Sequence, residues 1–182
     1  MSEGSAARAV VAYESMFGNT ERVAHAVATG LRLEGLDTTV VDVSKNPAVA
    51  LGELELLVVG APTHGFSLSR GTSRAEAVGQ GGRRDAAETG MREWLTTRSM
   101  TGRAPLAAAF DTRVTRVRYL PASASRRAAR LLVEHGCTMV SAPTGFLVRD
   151  VSGPLESREI DRAIAWARRV ALEVQQRQAL AG

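Results

Sequence analysis

Apolar positions in this chain follow two patterns, short unbroken runs and longer stretches that recur every three to four residues. Ala9 to Tyr13 is of the first kind, as expected of a strand covered on both faces; Thr38 to Val43, short and β-branched, reads as a second strand, Leu54 to Gly60 as a third and Leu106 to Phe110, made mostly of small residues, as a fourth. Helical repeats lie between them. Val23, Val27 and Leu31, flanked by Ala24 and Ala28, mark one apolar face, and Gly35 is placed to end that helix. Met91, Trp94 and Leu95 open another, with Trp94 read as core. Ala128, Leu131 and Leu132 mark a third, capped by Ser123 or Ser125 and stopped at Gly136. Pro154 stands at the start of the last, whose face is Ile160, Ala163, Ile164, Ala167, Val170, Ala171 and Val174, with Trp166 off the stripe and covering an edge.

A fifth strand is read from Cys137 to Val140 and Gly145 to Val148, interrupted by Ala142, Pro143 and Thr144. Strands alternating with helices predict an α/β fold: a doubly wound five-stranded parallel sheet of order 2-1-3-4-5, with helices on both faces. One domain is expected over residues 1–182. Pro47 to Leu51 reads as a helical turn. The exception is an irregular insertion at about 66–90, rich in glycine and carrying Arg70, Arg74, Arg83 and Arg84. A loop this long is usually functional or disordered, and its arginines read as solvated.

Composition narrows the picture. No apolar run approaches the ~20 residues needed to span a bilayer. Met1 to Arg8 has an acid where a signal peptide carries positive charge, so a cytoplasmic location is expected. A single cysteine, Cys137, excludes an intrachain disulfide and reads as a buried thiol. His25, His64 and His135 are far apart, and no metal site is expected; His25 reads as a surface residue and His135 as one suited to a helix C-terminus. The net charge of +4 invites a nucleic-acid partner, yet all but one of the 23 basic residues are arginine and they are interleaved with acids. That one-sided usage argues against nucleic acid.

Ligands of doubly wound sheets bind beyond the carboxyl ends of strands, where the strand order reverses. Three stretches leave those ends: Ser15, Met16, Phe17, Gly18, Asn19 and Thr20; Pro62, Thr63, His64, Gly65 and Phe66; and Asp111 onward. The first is neither a Walker loop, lacking Lys-Ser/Thr, nor G-x-G-x-x-G. It has no basic side chain. A phosphate there would be held by the Ser15 and Thr20 hydroxyls, the Asn19 amide and backbone N–H groups at a helix start, a design suited to a retained phosphomonoester. The same residues also read as a plain helix N-cap by Asn19 or Thr20, and the pattern alone leaves both readings open.

Tyr13 to Glu21 resembles the FMN phosphate loop of the flavodoxins, whose common form is Ser/Thr-x-Thr-Gly-Asn-Thr, and Val58 to His64 is similar to the strand and flavin-contacting loop that follow. The resemblance implies an FMN-binding redox protein. Ser15 to Thr20 would hold the phosphate. Pro62, Thr63, His64, Gly65 and Phe66 would line one side of the isoalloxazine, with His64 and Phe66 as aromatic cover and Gly65 as the adaptable peptide. Phe110, Asp111, Thr112 and Arg113 would line the other. Electrons would pass to a redox partner protein or a small electron acceptor, as carrier or reductase, and no side chain is singled out as acid, base or nucleophile. Three features depart from the family pattern: Phe17 where a hydroxyl is usual, a third loop with no Gly-rich aromatic sequence, and a basic rather than acidic chain. The first two support the alternative, a flavodoxin-like module without FMN that binds a protein or another anion.

Overall fold

The computed structural model describes residues 7–98 and 102–181. Its elements are β1 (Arg8–Tyr13), α1 (Asn19–Leu33), β2 (Asp37–Asp42), β3 (Leu56–Pro62), α2 (Gly71–Gly79), α3 (Met91–Thr96), β4 (Leu106–Val114), α4 (Ala124–Glu134), β5 (Thr138–Met139), β6 (Thr144–Val148) and α5 (Glu159–Ala181). All sheet pairings among the named strands are parallel, in the order β2-β1-β3-β4-β5, and β6 also pairs with β4. β5 lies against Leu106 and Ala107 at the start of β4, whereas β6 lies against Phe110 to Val114 at its end. The fifth strand is therefore one edge in two pieces, and the interruption falls around Pro143, which has no N–H to offer a ladder.

The two faces of the sheet bury separate cores. On one, α1 and α5 cover Val11, Val58, Ala108 and Phe110. On the other, α3 and α4 cover Ala12, Val59, Ala107 and Ala109, with Trp94 and Cys137 fully or nearly fully buried. Trp166 covers the sheet edge, as its place off the stripe suggests, by packing on Phe146 of β6. It is buried, with its ring centre 6.1 Å from those of both Phe110 and Phe146 in edge-to-face contact, so the buried face of α5 is wider than the periodic stripe. Among the described residues no helix is long and apolar enough to cross a membrane.

Gly60 answers to this aromatic cluster. A Cβ there would lie 2.0 Å from the Phe110 ring. Gly60→Ala is expected to destabilise the fold by about 1–3 kcal/mol or more, read as a lower urea midpoint at unchanged slope.

Three local expectations are corrected. Residues 66–90 are not a bare loop, since they contain α2 and a short helical turn at Arg84–Ala86. The segment after β2 is helical at Val43–Lys45 and Leu51–Glu53, on either side of Pro47 to Ala50 and not within it. α5 starts at Glu159, five residues beyond Pro154. α2 buries only Arg74 and Ala77, so 66–90 shows no apolar period to read as a helix, and Pro154 sits in the turn that follows β6.

Candidate functional site

A cleft opens at the carboxyl ends of β1, β3 and β4, where the strand order reverses. It is lined by Ser15, Met16, Phe17, Asn19, Thr20, Pro62, Thr63, His64, Thr112, Arg113, Val114, Val148 and Val151. Its enclosed volume is about 70 Å³, well below the roughly 300 Å³ at which ordinary small-molecule pockets begin, room for only a small group.

The first loop owes its shape to Gly18. At φ +85° this residue occupies the left-handed region and forms the N-cap of α1, with no side chain to accept from the first turn. Its own N–H donates to Ser15 Oγ at 3.0 Å, which leaves the Ser15 hydroxyl proton for a ligand. Asn19 donates from Nδ2 to Ser152 O at 3.1 Å, and so ties the loop to the segment after β6; Gly153 is there because a Cβ would meet the Asn19 amide at 2.6 Å. Thr20 and Thr112 hydroxyls share a hydrogen bond of 2.8 Å, and one of the two protons remains free to donate elsewhere. Asn19 and Thr20 are thus linkers between loops, and neither caps the helix. The plain N-cap reading does not hold.

Phe17 is explained by the other side of the loop. Met16, Ala77 and Ala86 form a small buried cluster against which Phe17 and Val78 pack. Arg83 N–H donates to Met16 O at 2.9 Å. The 66–90 segment therefore clamps the first loop, and an aromatic at position 17 gives it apolar surface to grip.

The second and third stretches deliver some of their expected residues. Pro62, Thr63 and His64 line the cleft, and Thr63 Oγ1 accepts from the Ala124 N–H at 3.0 Å. Gly65 and Phe66 do not line it. They form the tip of a tight turn closed by two hydrogen bonds between His64 and Ser67, with both tip residues in the left-handed region. Gly65 borders a neighbouring depression that runs to α2, and Phe66 is about half exposed. Burial, with Arg74 nearby, holds the His64 pKa below its ordinary value and favours the neutral ring.

Phe110 and Asp111 are corrections. β4 extends four residues past Phe110, so side chains alternate where a loop was expected. Phe110 points into the core against Phe146, and Thr112 lies two residues on along the strand. Asp111 is fully buried; it accepts the Ser125 N–H and hydroxyl and binds Arg113 through both oxygens, at 2.7 and 2.6 Å. Asp111 thereby holds Arg113 at the cleft wall. Val114, Val148 and Val151 were missed because nothing in an isolated valine marks a site. The strand end at Val148, followed by the Gly153-Pro154 turn, was the available signal.

Glu14 immediately precedes the first loop and is completely buried. Its Oε2 accepts the Met91 N–H at 2.7 Å, and its Oε1 has no partner. Burial pushes its pKa above the ordinary carboxylate value, against the opposing pull of Ser69, the Met91 N–H and Arg74. A folded carboxyl that keeps its proton to higher pH than the unfolded one contributes most below a pH of about 4.5, and that contribution is lost as pH rises through the folded value. Glu14→Gln, which keeps the acceptor for Met91, is expected to flatten this decline. Urea midpoints followed as pH rises above 4.5 check it; a pH dependence identical in the two proteins would contradict it.

Among the described residues no group of three or more His, Cys, Asp and Glu is placed to hold a metal. Residues 11–92 match the Flavodoxin family, spanning β1 to α3. The fold is flavodoxin-like. Solved structures agree in fold: a flavodoxin from the domain Archaea at 17% identity and TM-score 0.63, over 92% of this chain and 99% of that one; the Streptococcus pneumoniae TIGR4 flavodoxin at 22% and 0.62, over 92% and 99%; and a diflavin flavoprotein from Nostoc sp. at 15% and 0.58, over 98% and 99%. Against this flavodoxin-like background the clamped Phe17 and the strand-borne Asp111–Arg113 pair are features of this chain's own residues.

Proposed function

We propose that this flavodoxin-like protein binds FMN at the cleft and passes electrons through it to a redox partner protein or a small acceptor. One observation carries the reading: a helix N-terminus with no side-chain cap opens into a cleft lined by the Ser15, Thr20, Thr63 and Thr112 hydroxyls, with no carboxylate in its lining. That donor set fits a phosphomonoester dianion and disfavours a cation. The small enclosed volume fits the phosphate end of FMN, with the ring at the mouth.

In this reading Ser15, Thr20 and the first-turn N–H groups of α1 hold the phosphate. Asn19, through Ser152, fixes the loop against the segment after β6. Val114, Val148 and Val151 exclude water from the apolar wall, and His64, kept neutral, presents an uncharged ring. Bound FMN would supply reversible one- or two-electron transfer at the ring, so no side chain need act as nucleophile.

Purified protein mixed with excess FMN and desalted is expected to stay yellow with about one FMN per chain. It should bleach on dithionite and recover its colour on passing electrons to an added acceptor. Colourless protein after desalting would favour the module without FMN.

A further inference from the structure

Beyond Arg113 lies a second concavity, outside the lining of the cleft proposed to hold the phosphate. It is bounded by Arg118, Tyr119, Leu120 and Pro121 after β4, by Arg126 in the first turn of α4, by Pro143 just before β6, and by Gly145 and Leu147 on it. Its volume is about 350 Å³, five times that enclosed by the cleft and within the range of small-molecule sites.

Its chemistry is one-sided. Three arginines line it and no carboxylate does. Arg113 is locked by Asp111 and belongs to both the groove and the cleft. Arg118 and Arg126 carry no ion pair among the described residues. Arg118 instead stacks 4.6 Å from the centre of the Tyr119 ring, and that ring is 84% exposed. An exposed aromatic face beside unpaired guanidinium groups offers stacking to a flat molecule and forked donors to its acidic group. Pro121 and Pro143 make the walls stiff, and Leu120 and Leu147 supply apolar contact.

We propose that this groove binds a planar aromatic anion of small-molecule size, such as an aromatic carboxylate, sulfonate or phosphate. The exposed Tyr119 face and the forked donors around one concavity favour a compact flat ligand, and a polyglutamate peptide tests an acidic protein segment in its place. Binding of that ligand stands on the groove alone; its service as electron acceptor or donor rests on the flavin reading, because the shared Arg113 puts the two sites side by side.

The test is isothermal calorimetry on the full chain with 2-naphthoate, its neutral isostere 2-naphthamide, and a polyglutamate peptide. Naphthoate is expected to bind and to weaken with salt, while naphthamide binds roughly tenfold or more weakly. Arg118→Gln and Arg126→Gln are each expected to weaken naphthoate by about tenfold, and Tyr119→Ala to weaken both small probes. These three side chains are exposed, so the variants keep the fold, and FMN retention measured on the same samples should be unchanged. No binding of naphthoate, equal binding of naphthoate and naphthamide, indifference to the arginine variants, or binding of polyglutamate alone would overturn the proposal. Loss of FMN retention in the unmodified protein would instead strike only the flavin reading.

Discussion

Arg74→Met is expected to cost about 3–5 kcal/mol of stability, because it removes a cation around which buried groups are arranged. Arg74 is 1% exposed although it lies in α2, on the segment whose arginines read as solvated. Its guanidinium donates to Ala87 O at 2.9 Å, Glu88 O at 3.1 Å, Ser69 Oγ at 2.8 Å and Glu93 Oε2 at 3.2 Å. Methionine fills most of the volume and satisfies none of these. Two carbonyls and a hydroxyl lose their donor, and the buried Glu14 loses its nearest positive charge. Arg74→Lys should recover little, since one ammonium cannot reach four acceptors set in a fork. Chemical unfolding of the three proteins checks this. A loss under about 1 kcal/mol for the methionine variant would mean that the network is relaxed by water or by movement of the 66–90 segment.

Ser15→Asp is expected to separate phosphate binding from riboflavin binding. An aspartate can still accept the Gly18 N–H, and a negative charge suits the N-terminus of α1, which offsets part of the cost of placing a charge at a position 1% exposed; riboflavin binding then reports whether the loop is intact. In the proposed site the same charge would sit a few ångströms from a phosphate dianion. Like charges at about 4 Å repel by roughly 4 kcal/mol in a protein-surface dielectric, equivalent to nearly a thousandfold in affinity. FMN binding should fall by about that factor, while riboflavin, which lacks the phosphate, should be unaffected. Equal losses for both would place the phosphate elsewhere.

The sheet was legible because β1, β3 and β4 are buried on both faces and so read as unbroken apolar runs, while α1 and α5 kept a helical period. Loops at strand ends were legible for the same reason, since a strand end is where an apolar run stops. What failed were side-chain directions. β4 continues through polar Asp111, Thr112 and Arg113, so polarity was mistaken for a loop and Phe110 for a wall of the cleft. Arg74 failed for a related reason: burial of a charged residue depends on its partners, here Ser69 and, 13 to 19 residues on, Ala87, Glu88 and Glu93. Phe17 stood out as a departure from a phosphate-loop pattern, and only its packing beside Ala77 and Ala86 shows what it does.

The central claim is that the uncapped start of α1 holds the phosphate of a flavin mononucleotide. Equilibrium titration of the flavin-free protein with FMN and, separately, riboflavin tests it most directly. FMN should bind at least about a hundredfold more tightly, since two or more charge-assisted hydrogen bonds are lost with the phosphate. Equal affinities, or no binding of either, would contradict it.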